Sequence, residues 1–125
     1  MNENEISKIV FESGLKIHRK LGVGLYEAVY EECLVYELKS NGLIVEQQKD
    51  IPIEYERLLI KKAFRVDLLI ENKVLIEVKA GPEINSYHTY HLLNYLRITG
   101  FKLGMLLNFH SLLFKDGVKR IVNHL

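Results

Sequence analysis

FRVDLLIENKVLIEVKA, residues 64–80, reads as two apolar strands joined by a polar turn at Glu71, Asn72 and Lys73. Three charged side chains, Asp67, Glu77 and Lys79, fall inside those strands. Charge in a strand interior is costly unless it is paired or bound to a metal, so these residues are expected to carry the chemistry.

Alternate strand residues share a face. Glu77 and Lys79 therefore point one way, and Ile76 and Val78 the other. In the partner strand Arg65, Asp67 and Leu69 share one face, while Phe64, Val66, Leu68 and Ile70 share the opposite one. A three-residue loop at 71–73 places Asp67 opposite Glu77 and Arg65 opposite Lys79. A two-residue loop pairs Asp67 with Ile76 and splits the carboxylates between faces. Asn72 tolerates the left-handed backbone that odd loops use.

Two adjacent carboxylates repel at neutral pH, and oxygen ligands with open water positions suit Mg²⁺ or Mn²⁺. Such an ion activates water and stabilises a phosphate under in-line attack. Lys79 is close enough to Glu77 to orient that water or offset developing charge. The competing reading is a solvated checkerboard of Arg65, Asp67, Glu77 and Lys79 held by diagonal ion pairs, a salt-bridge or dimer surface without metal.

Upstream, residues 5–21 carry Ile6, Ile9, Val10, Ile17 and Leu21 at helical spacing, with Asn4 as N-cap, Gly22 as stop and Gly14 weakening the middle. A second helix is expected over Tyr26–Ser40, with Val29, Tyr30, Cys33, Leu34 and Leu38 as its apolar stripe and Asn41-Gly42 as its end. Glu27, Glu31 and Glu32 crowd its first turns, where the helix dipole favours negative charge. That is the bland account of Glu27. From Leu43 to Glu56 the period becomes that of a half-wet strand, bent or at an edge near Asp50 and Pro52. Arg57–Lys62 reads as a turn or a strand continuation.

Downstream, Gly81-Pro82 breaks the second strand, and Asn85 or Ser86 caps a helix to Thr99. Leu92, Leu93 and Leu96 face the core, while His88, His91 and Tyr95 occupy a different face. Lys102–Phe109 is a continuous apolar strand, buried on both sides. After a turn near Asp116-Gly117, VKRIVNHL reads as strand or helix. The order is α, α, β, β, β, α, β, and the helix before Leu103 is a crossover suited to a parallel pair. An α/β fold follows, a mixed sheet flanked by helices.

The 125 residues suffice for one domain, 1–125, and the 48% hydrophobic, 26% charged composition is that of a globular protein. A net charge of +1 excludes a strongly basic nucleic-acid coat, so any polyanion site is local. The one cysteine, Cys33, excludes a disulfide framework and a cysteine-rich zinc site. MNENEISK has no apolar signal region, and no apolar run approaches the roughly 18 residues of a membrane span. A cytoplasmic protein with no membrane association is expected.

Asp67, followed ten residues later by Glu77-Val78-Lys79, resembles the D…(D/E)-x-K signature of the PD-(D/E)XK nuclease superfamily. Gly24, Glu27 and Tyr30 match G-x-x-E-x-x-Y. With LLNYLRITGFKLGMLLNF, they make the chain resemble the GxxExxY protein family, a small bacterial branch, from about Ile6 to Ile121. The resemblance implies a restriction-endonuclease-like core, α-β-β-β-α-β. It also implies Asp67, Glu77 and Glu27 as metal ligands, Lys79 as catalytic lysine, Mg²⁺ or Mn²⁺ as cofactor, and phosphodiester hydrolysis of nucleic acid, chiefly DNA. Exonuclease-like branches carry Q-x-x-x-Y on the following helix; here Tyr95 matches and His91 stands in place of the glutamine. Arg65, His91 and Tyr95 are the expected substrate contacts, with Lys61, Lys62 and Arg97 as further phosphate candidates. The alternative on the same fold is a catalytically inactive binding or assembly module. A minimal nuclease of this length would need a homodimer or partner protein to span duplex DNA.

Overall fold

Two helices precede the sheet and cover one of its faces. The structure is a computed structural model and describes residues 1–82 and 86–125. Helix α1 spans Glu3–Leu21. Its cap is Asn2 rather than the expected Asn4. The Asn2 side chain accepts from the Glu5 N–H at 2.8 Å, and Glu5 accepts from the Asn2 N–H at 3.1 Å. This reciprocal capping box satisfies donors that the first turn leaves open. Gly14 is a packing site and not merely a weak point: a Cβ there would lie 2.3 Å from Phe114 Cζ.

Helix α2 spans Glu27–Ser40 and buries Tyr30, Glu31, Leu34, Val35 and Leu38. Its stripe is rotated from the expected one, leaving Val29 exposed and Cys33 half-buried. The anchor is Tyr30. Its ring stacks on Phe109 at 4.5 Å, and its hydroxyl donates to the Gly22 carbonyl at 2.6 Å. The same hydroxyl accepts from the Leu25 N–H, so one side chain fixes the link between the helices.

The strands are β1 (Val45–Tyr55), β2 (Leu58–Ile70), β3 (Val74–Lys79), β4 (Leu103–Asn108) and β5 (Val118–Val122), in the spatial order β1-β2-β3-β4-β5. Only β3–β4 is parallel, joined by the crossover helix α3 (Ser86–Thr99). Asn85, the other expected cap of α3, lies outside the described residues. The tail resolves as a 3-10 turn, Phe114–Gly117, followed by β5 as an edge strand. Pro52 falls on the opposite edge strand, where pairing shifts between Ile51 and Ile53, as its missing N–H requires. Residues 57–62 continue β2 into an exposed arm paired with the end of β1.

The core has two layers of side chains. Ile6, Val10, Leu34 and Leu38 meet Leu68, Ile70, Val74 and Ile76 on the α1–α2 side. Leu92 and Leu96 of α3 meet Val66, Leu69, Leu75 and Leu106 on the other. Each such side chain, when fully buried, contributes about 1.5–3 kcal/mol. Leu92 seats α3 on the sheet: a Cβ on Gly104 would come within 2.9 Å of its Cγ.

Candidate functional site

The hairpin has the odd loop. Ile70 pairs with Val74 and Leu68 with Ile76, leaving Glu71, Asn72 and Lys73 between the strands. Both Glu71 and Asn72 adopt left-handed φ of 53°, and the Lys73 N–H closes the turn on the Ile70 carbonyl. With this parity, Asp67 and Glu77 follow the last paired residues on their two strands.

Regular pairing stops there. The Val78 N–H donates to the Asp67 Oδ2 at 2.7 Å, so a carboxylate replaces the backbone acceptor where β2 and β3 part. On the other side of β2 the ladder holds Gln47–Leu68 and Lys49–Val66 but skips Gln48 and Asp67, and Gln48 has φ of 50°. This irregularity corrects the expected alternation: Phe64 and Val66 pack with Leu69 and Leu75, not with Leu68 and Ile70. It also frees the expected Arg65–Lys79 pairing. Arg65 instead meets the Asp50 carboxylate across β1 at 3.2 Å.

Glu77 is partly buried, and its carboxyl lies against that of Asp67. Burial is the largest reason that its pKa rises to about 8, followed by the Asp67 charge and a hydrogen bond with the Asp67 side chain; Lys79 opposes the rise. At neutral pH the pair therefore holds a proton. Ion pairs among the described residues are Lys16–Glu37, Lys49–Glu46 and Arg65–Asp50, so the checkerboard of diagonal bridges does not form.

A cleft of about 110 Å³ is lined by Arg65, Glu77, Lys79, His88, His91, Leu92, Tyr95 and Leu106. It lies at the carboxyl ends of the parallel β3–β4 pair, beneath α3, the usual place for a site in such sheets. Tyr95 stacks on Phe64 at 3.8 Å, and burial with the nearby Glu77 and Tyr87 raises its phenol pKa. The expected residues Arg65, Glu77, Lys79, His91 and Tyr95 thus share one cleft, with Asp67 behind Glu77.

Glu27 is different. It is exposed at the first turn of α2, and among the described residues no group of three or more His, Cys, Asp or Glu side chains is arranged to hold an ion. The α2 carboxylate that reaches toward Asp67 is Glu31, one turn later. Gln48 Nε2 donates to both Glu31 oxygens, at 2.9 and 3.1 Å, and to Asp67 Oδ1 at 3.2 Å. Gln47 Nε2 adds a 2.7 Å bond to Glu31. A signal for Glu31 exists in the sequence, because it stands three, four and seven residues before Leu34, Val35 and Leu38 in the buried stripe. Gln48 has no comparable signal.

The donor set suits a hard divalent cation. Asp67 accepts from Gln48 at Oδ1 and from the Val78 N–H at Oδ2 and shares a hydrogen bond with Glu77, so an ion that displaced the shared proton would meet oxygens of both carboxyls. Mg²⁺ in particular is commonly held by one or two carboxylates with water and substrate phosphate completing its shell.

No helix among the described residues is long and apolar enough to cross a membrane. Comparison with curated proteins and with solved structures gave no significant match. A family model described as the PD-(D/E)XK nuclease superfamily matches residues 4–121, which takes in both helices before the sheet, the Asp67–Lys79 hairpin, α3 and β4. With the match covering nearly the whole chain, and a mixed five-stranded sheet of restriction-endonuclease-like form beneath it, the chain belongs to the PD-(D/E)XK nuclease superfamily.

Proposed function

We propose that this protein is a Mg²⁺- or Mn²⁺-dependent nuclease that hydrolyses phosphodiester bonds of DNA. One observation carries the reading: the Asp67 and Glu77 carboxyls converge where β2 and β3 separate, and Glu77 shares a cleft with Lys79. Asp67 and Glu77 hold the ion, which supplies water activation and charge stabilisation at the phosphate. The Lys79 ammonium orients the attacking water and offsets charge on the phosphate oxygens. Arg65, His91 and Tyr95, on the same cleft, position the substrate strand. Glu27 would join the ion only through a change at the N-terminus of α2. We also place the chain in the GxxExxY branch on Gly24, Glu27 and Tyr30, with Tyr30 acting structurally.

Incubation with single- and double-stranded DNA and RNA plus Mn²⁺ tests this directly. Cleavage by the native protein is expected, with a loss of about 10²-fold or more in Lys79→Ala. No cleavage by the native chain, or equal cleavage by the variant, overturns the catalytic reading. The second reading, a non-catalytic binding or assembly module, draws on the exposed Tyr55, Leu58, Leu59 and Ile60 at the tip of the β1–β2 arm. It gains if Mn²⁺ neither binds nor changes the protein's stability.

A further inference from the structure

A row of aromatic rings runs out of the cleft along one face of α3. Phe64 and Tyr95 are stacked, at 3.8 Å and 11°. Tyr95 meets His91 at 5.8 Å, and His91 meets Tyr87 at 4.0 Å. The spacing of Tyr87, His91 and Tyr95 is four residues throughout, so one helix face presents all three rings. Exposure grows outward: Phe64 and Tyr95 are partly buried, His91 is exposed, and Tyr87 is 61% exposed. Core packing accounts for the inner pair and leaves the outer pair unexplained.

The cleft brings the Arg65 and Lys79 cations, which suit a phosphate, beside His91 and Tyr95 of the row. A phosphate held by those cations leaves its attached base within reach of the rings that continue outward to Tyr87. In a duplex the bases are stacked and paired inside, out of reach of rim side chains. An unpaired base has two open faces, and aromatic rings bind those without regard to sequence.

We propose that Tyr87 and His91 form a stacking platform for an unpaired base, so that the site takes single-stranded or frayed nucleic acid in preference to intact duplex. This rests on the nuclease reading for the position of the phosphate and adds the class of substrate. Tyr87 and His91 are binding residues in this assignment, and Tyr95 with Phe64 is the rigid base of the row. The proposal predicts sequence tolerance, because no donor–acceptor pattern on the platform reads base edges.

The test separates binding from cleavage. Fluorescence anisotropy with a labelled 12-residue DNA strand, in EDTA to prevent hydrolysis, is compared with the blunt duplex and with a strand carrying abasic sites. The single strand is expected to bind more tightly than the other two. Tyr87→Ala is expected to weaken single-strand binding by about five- to a hundredfold. Tyr87→Phe should bind like the native protein, and Tyr87→Leu, which keeps apolar bulk without a ring, should behave like the alanine variant. Matching thermal melts check that each variant is folded. Equal binding of duplex and strand, equal binding of the abasic strand, or native affinity in Tyr87→Leu overturns the platform. If Mn²⁺-dependent cleavage occurs with no preference for unpaired bases, the platform fails and the nuclease reading stands. If single strands bind through Tyr87 but are never cleaved, the reverse holds.

Discussion

Glu77 is the residue on which the proposed chemistry turns. Its carboxyl is forced toward the protonated form by burial and by Asp67, to a pKa of about 8 against an ordinary 4.5. The folded state therefore binds a proton more tightly than the unfolded chain does. Between about pH 4.5 and 8 the native state holds that extra proton, so stability falls as pH rises through this window. Above pH 8 the full cost is present, on the order of a few kcal/mol. Glu77→Gln removes the charge and nearly preserves the shape. Its melting temperature should exceed that of the native protein at pH 8.5 and approach it near pH 5, in metal-free buffer. A variant less stable than native at pH 8.5 would show that Glu77 is not under this strain.

A second residue-scale expectation concerns Gln48. Its amide is the bridge between Glu31, 8% exposed, and Asp67. Gln48→Ala leaves Glu31 with Gln47 alone and should cost about 1–3 kcal/mol in denaturant titrations. Neither Gln48 nor its bridge could be read from the sequence, since the role depends on a left-handed backbone that glutamine does not advertise. The approach of Asp67 to Glu77 was legible from the parity of the hairpin loop, whereas spacing alone left a catalytic pair and an ion-paired checkerboard both open.

At the scale of elements, the odd hairpin loop decides whether the two carboxylates can meet, and Asn72 was a sequence signal for it. The Glu71 left-handed turn and the break opposite Gln48 were not legible, so the outer face assignments of β2 failed at Phe64 and Val66. Glu27 failed to join the site for a related reason. The sequence locates a helix within a residue or so, but its rotation depends on which side chain anchors it. Tyr30 stacked on Phe109 turns Glu31 inward instead. The α1 packing gives a sharper prediction. Gly14→Ala gains about 1 kcal/mol of helix propensity, yet its Cβ would meet a Phe114 ring already confined by Phe11 and Phe109. Overpacking costs about 1–3 kcal/mol, so net destabilisation by chemical denaturation is expected. A more stable Gly14→Ala protein would mean that the ring can yield.

For the whole molecule, the order of helices and strands was legible because apolar periods change cleanly at Gly22, Gly42, Gly81 and Gly100. The final segment was ambiguous until β4 offered an edge, which makes VKRIV a strand by pairing rather than by propensity. The result is a sheet whose parallel centre opens a small cleft lined by Glu77 with Asp67 behind it, and under the proposed function a divalent ion replaces the proton that this pair holds at neutral pH. Titration calorimetry of Mn²⁺ at pH 7, repeated in two buffers of different ionisation enthalpy, measures that replacement. The account predicts binding with release of about one proton per ion, shrinking toward none by pH 9 and lost in Asp67→Asn. Absence of Mn²⁺ heat, binding without proton release at pH 7, or unchanged binding in Asp67→Asn would contradict it.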